Sequence, residues 1–190
     1  MPYKDLVKRK EYHKEYQKTY KPNLKRVKYT SMCNRVKNEP AYKNVSICPL
    51  WSSDRNAFYD WLENEFNEIG LDIVKDYDVA KTYHLDKDYS GAKMYSPSTC
   101  ILIPQKLNAL ILNSNDHIEL RLSGNWSVRV GDGNNKRLSY GTYSDKDEAI
   151  QVGKEAKLNT IKQWTDKYHK SGKISNRAYQ VIMNYINKNK

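Results

Sequence analysis

The spacing of apolar and polar residues predicts two lysine-rich helices at the start of the chain. Residues 3–20 contain no glycine or proline and carry a narrow tyrosine stripe at intervals of four. Residues 24–39 have a similar basic composition and stop at Pro40, because a proline ring disfavours helical backbone in the residue before it. Neither segment has many aliphatic side chains, so their lysines are expected to face solvent or an anionic partner.

A stronger amphipathic pattern predicts a helix over residues 54–69, with Asp54 able to cap its first turn. Residues 42–51 alternate toward a short strand before it, and residues 72–80 fit either a loop or an edge strand. The helix supplies large side chains for a core: Phe58, Trp61, Leu62 and Phe66.

The stretch from Tyr83 to Asn108 predicts a strand, a turn, a second strand and a helix. The Ser90-Gly91 pair marks the turn, and residues 100–104 form an apolar run typical of a buried strand. Pro104 suits the first turn of a helix that continues through Ile111.

Four polar side chains in this stretch are candidates for chemistry. His84, Asp86 and Asp88 alternate along the chain, so an extended segment would direct them to one side. Asn108 lies one turn into the following helix. An imidazole, carboxylates and an amide oxygen that converge on one point can form a hydrolytic site for a hard divalent cation.

The last third of the chain predicts a three-stranded antiparallel meander followed by two helices. Residues 117–122, 126–130 and 137–143 each alternate between apolar and polar, and the turn sequences SGN and GDGNN separate them. Residues 144–168 predict a helix that starts with a serine and an acid three residues later. Residues 174–186 predict the last helix.

One face of that sheet is expected to be basic. If the apolar residues pack on the helix, Arg121, Arg129 and Arg137 occupy the other face, and strand ribbons of this width fit the major groove of DNA. Trp126 points to the same side of its strand as Val128, so it is either a DNA contact or a core residue.

The distribution of charge strengthens the expectation of a polyanionic partner. The net charge is +11, and residues 1–37, 38–118 and 119–190 carry net charges of +9, −5 and +7. Two basic flanks suit a nucleic acid and the acidic middle suits a cation, whereas the alternative is a set of solvated lysine-rich helices. The expected phosphate contacts near the N-terminus are Lys8, Arg9, Lys10 and Arg26.

The cysteines and the hydropathy pattern exclude several classes of protein. Cys33, Cys48 and Cys100 lie far apart without a CxxC spacing, so neither zinc nor a disulfide framework is expected. No apolar run approaches the roughly 20 residues of a membrane span, and the N-terminus does not have the pattern of a secretory signal. A protein with reduced thiols in the cytoplasm, that of a bacterial host if the protein is viral, is the simplest expectation.

Residues 29–112 resemble phage-type HNH endonucleases, a group with a ββα metal fold. The likeness is carried by TSMCNRVKNEPAYKNVSICPLW and by YHLDKDYSGAKMYSPSTCILIPQKLN. It implies a histidine general base that activates water, and one divalent ion, Mg²⁺ or Mn²⁺, held by an Asp or His of the first strand and by an Asn or His of the helix.

Two registers of the motif are open. In one, His84 is the base and Tyr83 occupies the first ligand position, and in the other, Asp86 is a ligand and Lys87 replaces the base. Asn108 fits the helix position in both. We favour His84 as the base with Asp86 and Asn108 on the metal, and Lys87 is the alternative base. The competing interpretation is a degenerate site in which the aspartates only close a turn.

A second resemblance covers about residues 117–170. The sequence GNWSVRVGDGNNKRLSYGTYSDKDEAIQVGKEAK resembles the ethylene-response-factor (APETALA-like) type of DNA-binding domain. In that family the sheet enters the major groove. The resemblance implies that Arg129 and Arg137 contact bases or phosphates, with Arg121 and Trp126 behind them.

Together these patterns predict an α+β protein of three parts. They are a basic helical arm over residues 1–40, an HNH-like ββα-metal domain over 41–115, and an ethylene-response-factor-type domain with a C-terminal helix over 116–190. The expected function is a DNA-binding HNH endonuclease that acts on double-stranded DNA, with a monomer favoured. The alternative is a catalytically degenerate, sequence-specific DNA-binding or regulatory protein that keeps the same scaffold.

Overall fold

The computed structural model describes residues 8–12, 14, 21–112, 117–134 and 136–190. It is a mixed α+β structure, as predicted, with one three-stranded antiparallel sheet and two small two-stranded sheets in this part of the chain. The first predicted helix lies mostly outside the described residues. None of the described helices is long and apolar enough to cross a membrane.

The N-terminal half of the described chain is mostly helical. Its elements are α1 (Leu24–Asn38), β1 (Ser46–Ile47), α2 (Pro49–Ser53), α3 (Arg55–Glu68) and α4 (Tyr77–Ala80). Asp54 Oδ1 accepts the Asn56 N–H at 2.8 Å and caps α3, which confirms that predicted start. The sequence did not indicate α2, and it left the segment that ends in α4 as a loop or an edge strand.

The middle of the chain forms an antiparallel strand pair followed by a helix. These elements are β2 (Tyr83–Asp86), β3 (Met94–Tyr95), β4 (Ile101–Pro104) and α5 (Gln105–Leu112). β2 pairs antiparallel with β4, and α5 follows β4 directly, so the predicted order of strand, turn, strand and helix is confirmed. β3 was not predicted, and it pairs parallel with β1.

The C-terminal part contains the predicted meander and two helices. Its elements are β5 (Ile118–Leu120), β6 (Trp126–Gly131), β7 (Arg137–Tyr143), α6 (Lys146–Lys170) and α7 (Asn176–Lys188). The strands pair antiparallel in the order β5-β6-β7. The cap of α6 is Asp145, which accepts the Glu148 N–H at 2.8 Å, so the predicted start at Ser144 is wrong by one residue.

The β2–β4 pair is buried on both faces and separates two cores. Tyr83, Leu85 and Leu102 face the first core, to which α1 and α3 contribute several of the large side chains. Ile101 and Ile103 face the second core, which α5, α6 and α7 cover. The main partners in the first core are Met32, Trp51, Phe58, Leu62 and Phe66, and those in the second are Leu107, Leu158, Ile161, Ile182 and Ile186.

Helix α7 also contacts α3 and the loop before β4. The guanidinium of Arg177 donates to Glu65 Oε1 of α3 at 3.1 Å and to the Pro97 carbonyl at 2.5 Å. Arg177 therefore joins three segments that are far apart in sequence, and its partner Glu65 is buried.

The three-stranded sheet has a small core of its own and a docked turn. Val128 and Val130 pack with alanines of α6. At the β6–β7 turn, Trp164 Nε1 donates to the Asp132 carbonyl at 2.8 Å. The Lys106 ammonium lies 3.9 Å from the centre of the Trp164 ring, so α5, α6 and the turn meet at one tryptophan.

We expect Gly133→Ala to undock this turn. A Cβ at Gly133 would lie 2.4 Å from Trp164 Nε1, and the backbone φ of +76° is one that side chains disfavour. Strain and displacement of the indole together should lower the free energy of unfolding by about 2–4 kcal/mol, measured by chemical denaturation.

Gly124→Ala is the matched control for this substitution. Gly124 has a φ of +81°, but nothing lies within 4 Å of the position that a Cβ would occupy there, so only backbone strain of about 1–2 kcal/mol is expected. Equal losses in the two variants would mean that the Trp164 contact does not stabilise the turn.

Candidate functional site

His84 and Asn108 lie next to each other across the junction of hairpin and helix. His84 Nδ1 is 3.1 Å from Asn108 Nδ2. β2 holds His84 opposite Ile103, and α5 starts immediately after β4, so the first turn of the helix brings Asn108 back onto the strand. The fold therefore brings together two of the three residues predicted for the site.

The orientation of the Asn108 amide decides which nitrogen of the His84 ring carries the proton. When Nδ2–H donates to His84 Nδ1, as here, the neutral ring carries its proton on Nε2. When the amide is turned by half a rotation, Oδ1 accepts from Nδ1–H and leaves a lone pair on Nε2. Only this second arrangement makes Nε2 of His84 a base.

The surroundings of His84 keep its ring neutral. Burial lowers the pKa of His84 below its ordinary value, and the positive charges of Lys28 and Arg35 lower it further. A histidine whose pKa is lowered stays unprotonated at neutral pH, which is the form that can accept a proton from water. This favours His84 in the role of base.

Asp86 closes the turn that follows β2. Its Oδ1 accepts the N–H of Asp88 at 2.9 Å and that of Tyr89 at 3.1 Å. The side chain is buried, and desolvation raises the pKa of Asp86 to about 6. No hydrogen bond among the described residues joins Asp86 to His84 or Asn108, so the structure does not bring this carboxylate into the contact that those two residues form.

Asp88 does not share a strand with His84 and Asp86. β2 ends at Asp86, and a 3₁₀ turn begins at Asp88. The expectation that all three side chains point to one side of an extended segment is therefore wrong for Asp88. The physical reason is the cap itself, because accepting two successive N–H groups requires the chain to turn.

Lys87 has an environment that suits a charged ammonium. Its Nζ is 2.5 Å from Asp88 Oδ1 and lies 5.3 Å and 5.5 Å from the ring centres of Tyr42 and Tyr95. A general base must be a neutral amine, whereas an ion pair and two aromatic faces favour the cation. Of the two registers, the one with His84 as the base fits this environment better.

A cleft of about 410 Å³ lies between α1 and β2 and reaches His84. Lys28 donates from its ammonium to the Tyr83 carbonyl at the edge of β2. Burial and the nearby Arg35 lower the pKa of Lys28 to about 8. The polar lining residues are Lys28, Ser31, Tyr77, Lys81, Tyr83, His84 and Arg35.

Lys28 and Arg35 were not among the residues predicted from the sequence. They are seven residues apart, two helical turns, and therefore lie on one face of α1. That spacing was the available signal. It could not show that this face lies against β2, because the packing of α1 on the hairpin joins segments about fifty residues apart.

The donor atoms available to a metal ion are oxygens. Within the described ranges, no group of three or more His, Cys, Asp or Glu side chains is placed to hold a metal. Asn108 Oδ1, however, is buried without a hydrogen-bond partner. A buried oxygen left unpaired suits a hard cation such as Mg²⁺ or Mn²⁺, and so does the carboxylate of Asp86.

The arginines predicted for DNA contact lie on the sheet face away from α6. Arg129 is exposed between the buried Val128 and Val130, and it pairs with Ser139 on the same face as Arg137. Arg121 donates to Ser127 Oγ at 3.1 Å, which places it on this face as well.

Trp126 belongs to the opposite side of the sheet. It packs against the small core around Val128, and the Lys146 ammonium lies 5.1 Å from its ring centre. Of the two roles that the sequence left open for Trp126, this position fits core packing.

The basic residues expected near the N-terminus are exposed. Lys8, Arg9 and Lys10 are helical and exposed, and Arg26 is exposed in the first turn of α1. A larger cavity of about 720 Å³ lies between α5 and the β6–β7 turn. It is lined by Lys106, His117, Lys136 and Arg137 among others, but it does not include His84 or Asp86.

We expect Asp86→Asn to stabilise the protein at neutral pH. The pKa of Asp86 is about 6 in the fold against an ordinary 3.8, so between these values the folded state holds a proton that the unfolded state releases. Below about pH 4 the carboxyl is protonated in the fold and its full contribution to the free energy of unfolding is present. As the pH rises through about 6 the carboxyl loses its proton, and the free energy of unfolding falls by at most roughly 3 kcal/mol.

Asparagine keeps the oxygen that accepts the two backbone N–H groups and carries no charge. Urea denaturation should therefore give Asp86→Asn a free energy of unfolding about 1–3 kcal/mol above the wild type at pH 7.5, with a smaller difference near pH 4. A variant that is less stable than the wild type at pH 7.5 would contradict a buried, costly charge at this position.

No family model, curated protein or solved structure matches this chain. Its function is therefore inferred from the side chains that the fold brings together and from the two sequence resemblances.

Proposed function

We propose that this protein is a DNA-binding HNH-type endonuclease that hydrolyses phosphodiester bonds with one divalent ion, Mg²⁺ or Mn²⁺. The observation that carries the proposal is the contact between His84 and Asn108 across an antiparallel hairpin and its following helix. The resemblance of residues 29–112 to phage-type HNH endonucleases implies a metal ligand at Asn108 in both registers and the base at His84 in one of them.

His84 takes a proton from the attacking water. Its lowered pKa keeps the ring neutral. With the Asn108 amide turned by half a rotation, Oδ1 would accept from Nδ1–H of His84 and keep its second lone pair for an ion, and the lone pair of Nε2 would take the proton from water. Asp86 and Asn108 would hold the ion through oxygen atoms. When bound, the ion supplies positive charge that stabilises the transferring phosphate and its leaving oxygen.

Double-stranded DNA is the proposed substrate. The exposed Arg129 and the neighbouring Arg137 give the three-stranded sheet a basic outer face. Exposed basic residues on α1 and before it add further positive charge. Contacts of this kind position a duplex through its phosphates, while base edges in the groove give any sequence preference.

Nicking of supercoiled plasmid tests the catalytic assignment. With Mg²⁺ or Mn²⁺ present, His84→Ala should cut about 10²–10⁴-fold more slowly than the wild type, because the proton acceptor is gone. His169→Gln is the matched control, since His169 stacks on Tyr179 and bonds to Asn176 away from this site. Failure of the wild type to cut any DNA, or normal cutting by His84→Ala, would refute the mechanism.

A non-catalytic DNA-binding protein on the same scaffold is the second candidate. It is favoured by the cap on Asp86 Oδ1, which gives this carboxylate a structural role without any metal. It predicts DNA binding that is independent of metal and falls steeply with salt.

Arg129→Ala and Arg137→Ala should each weaken duplex binding and reduce its log–log salt slope by about 1. Arg55→Ala, at an exposed arginine of α3, is the charge-matched control and should bind as the wild type does. Calorimetric metal binding that disappears in Asp86→Ala would decide against the non-catalytic candidate.

A further inference from the structure

The cleft between α1 and β2 holds positive charge that its lining does not neutralise. None of its lining residues is Asp or Glu. Lys81 is paired with Asp78 outside the cleft at 2.7 Å. Arg35 lies 6.0 Å from the centre of the Tyr95 ring and interacts with the Glu39 carboxylate. Lys28 therefore carries the uncompensated charge, and Arg35 adds a second cation beside it. Among the described residues, Lys28 has no carboxylate partner.

Lys28 is held in a way that leaves donors for a ligand. An ammonium has three N–H donors, and the Tyr83 carbonyl takes one of them. The side chain is half-buried next to a second cation, an arrangement that costs stability unless an anion is bound there. Ser31, one turn away on the same helix, adds a hydroxyl to the same wall.

The cleft continues along α1, which indicates an elongated ligand. A second groove of about 700 Å³ shares Val27, Ser31 and Arg35 with it. Its other polar lining residues are Asn23, Arg26, Thr30, Asn34 and a single acid, Glu39. A path of donors with one acidic group along slightly more than four helical turns suits a chain of phosphates better than a small anion.

We propose that Lys28 and Arg35 bind an internal phosphodiester of a DNA strand and thereby place the backbone next to His84. This assignment deepens the proposed nuclease function, on which its choice of DNA as the ligand rests. Lys28 and Arg35 are positioning residues in it, because they contact the strand and leave proton transfer to His84.

The experiment measures binding without cleavage. Anisotropy of a labelled dumbbell duplex, which has no free ends, is followed in EDTA between about 50 and 200 mM salt. Lys28→Met and Arg35→Gln should each weaken binding about tenfold and reduce the log–log salt slope by about 1. Arg35→Lys should restore part of the slope because it keeps the charge.

Lys37→Met is the matched control, since Lys37 is an exposed lysine of the same helix outside both grooves. Lys28→Gln is a second variant that keeps a donor for the Tyr83 carbonyl, and it should lose the same affinity as Lys28→Met. If all these variants bind as Lys37→Met does, the cleft is not a phosphate site.

The outcomes also separate this inference from the nuclease proposal. A wild type that binds through the cleft but never cuts DNA would refute the nuclease and leave the phosphate site standing. Normal binding with slow cutting in Lys28→Met would mean that Lys28 acts only through His84, which overturns the inference. Binding that requires a free 5′-phosphate would overturn it as well.

Discussion

The antiparallel pairing of β2 with β4 is the constraint on which the rest of the structure depends. Every residue of β4 is buried, and the two faces of the pair belong to different cores. Two strands of four residues have little stability alone, so this pair persists because helices cover both of its faces. The same covering helices deliver the functional groups, with α5 bringing Asn108 and α1 bringing Lys28 to the edge of β2.

The elements that the sequence predicted well are those whose burial follows a regular period. The helix α3 and the central strand β6 each have one apolar face, and that face is the one that packs. Asp54 could be predicted as a cap because capping depends on neighbours within one turn. The pairing of His84 with Asn108 was also accessible, since the motif places both in one short unit.

The features that the sequence did not reveal depend on contacts between distant segments or on competing local choices. Lys28 and Arg35 had an ordinary basic-helix pattern, and only tertiary packing places them beside His84. Asp86 had two chemically reasonable roles, and the backbone N–H groups of the turn satisfied one of its oxygens. The short helix α2 begins with a proline, which is favoured at the first helical position. The alternation of apolar and polar residues before this proline predicted a strand, so the helix was not predicted.

The contribution of α7 to the second core has a consequence for synthesis on the ribosome. Ile182 and Ile186 cover the face of the hairpin that carries Ile101 and Ile103, and Arg177 of the same helix contacts α3 and the loop before β4. A nascent chain that ends before residue 176 therefore leaves part of this face uncovered, because only α5 and α6 are then present to pack on it. The second core is therefore completed only when synthesis of the described chain is nearly finished.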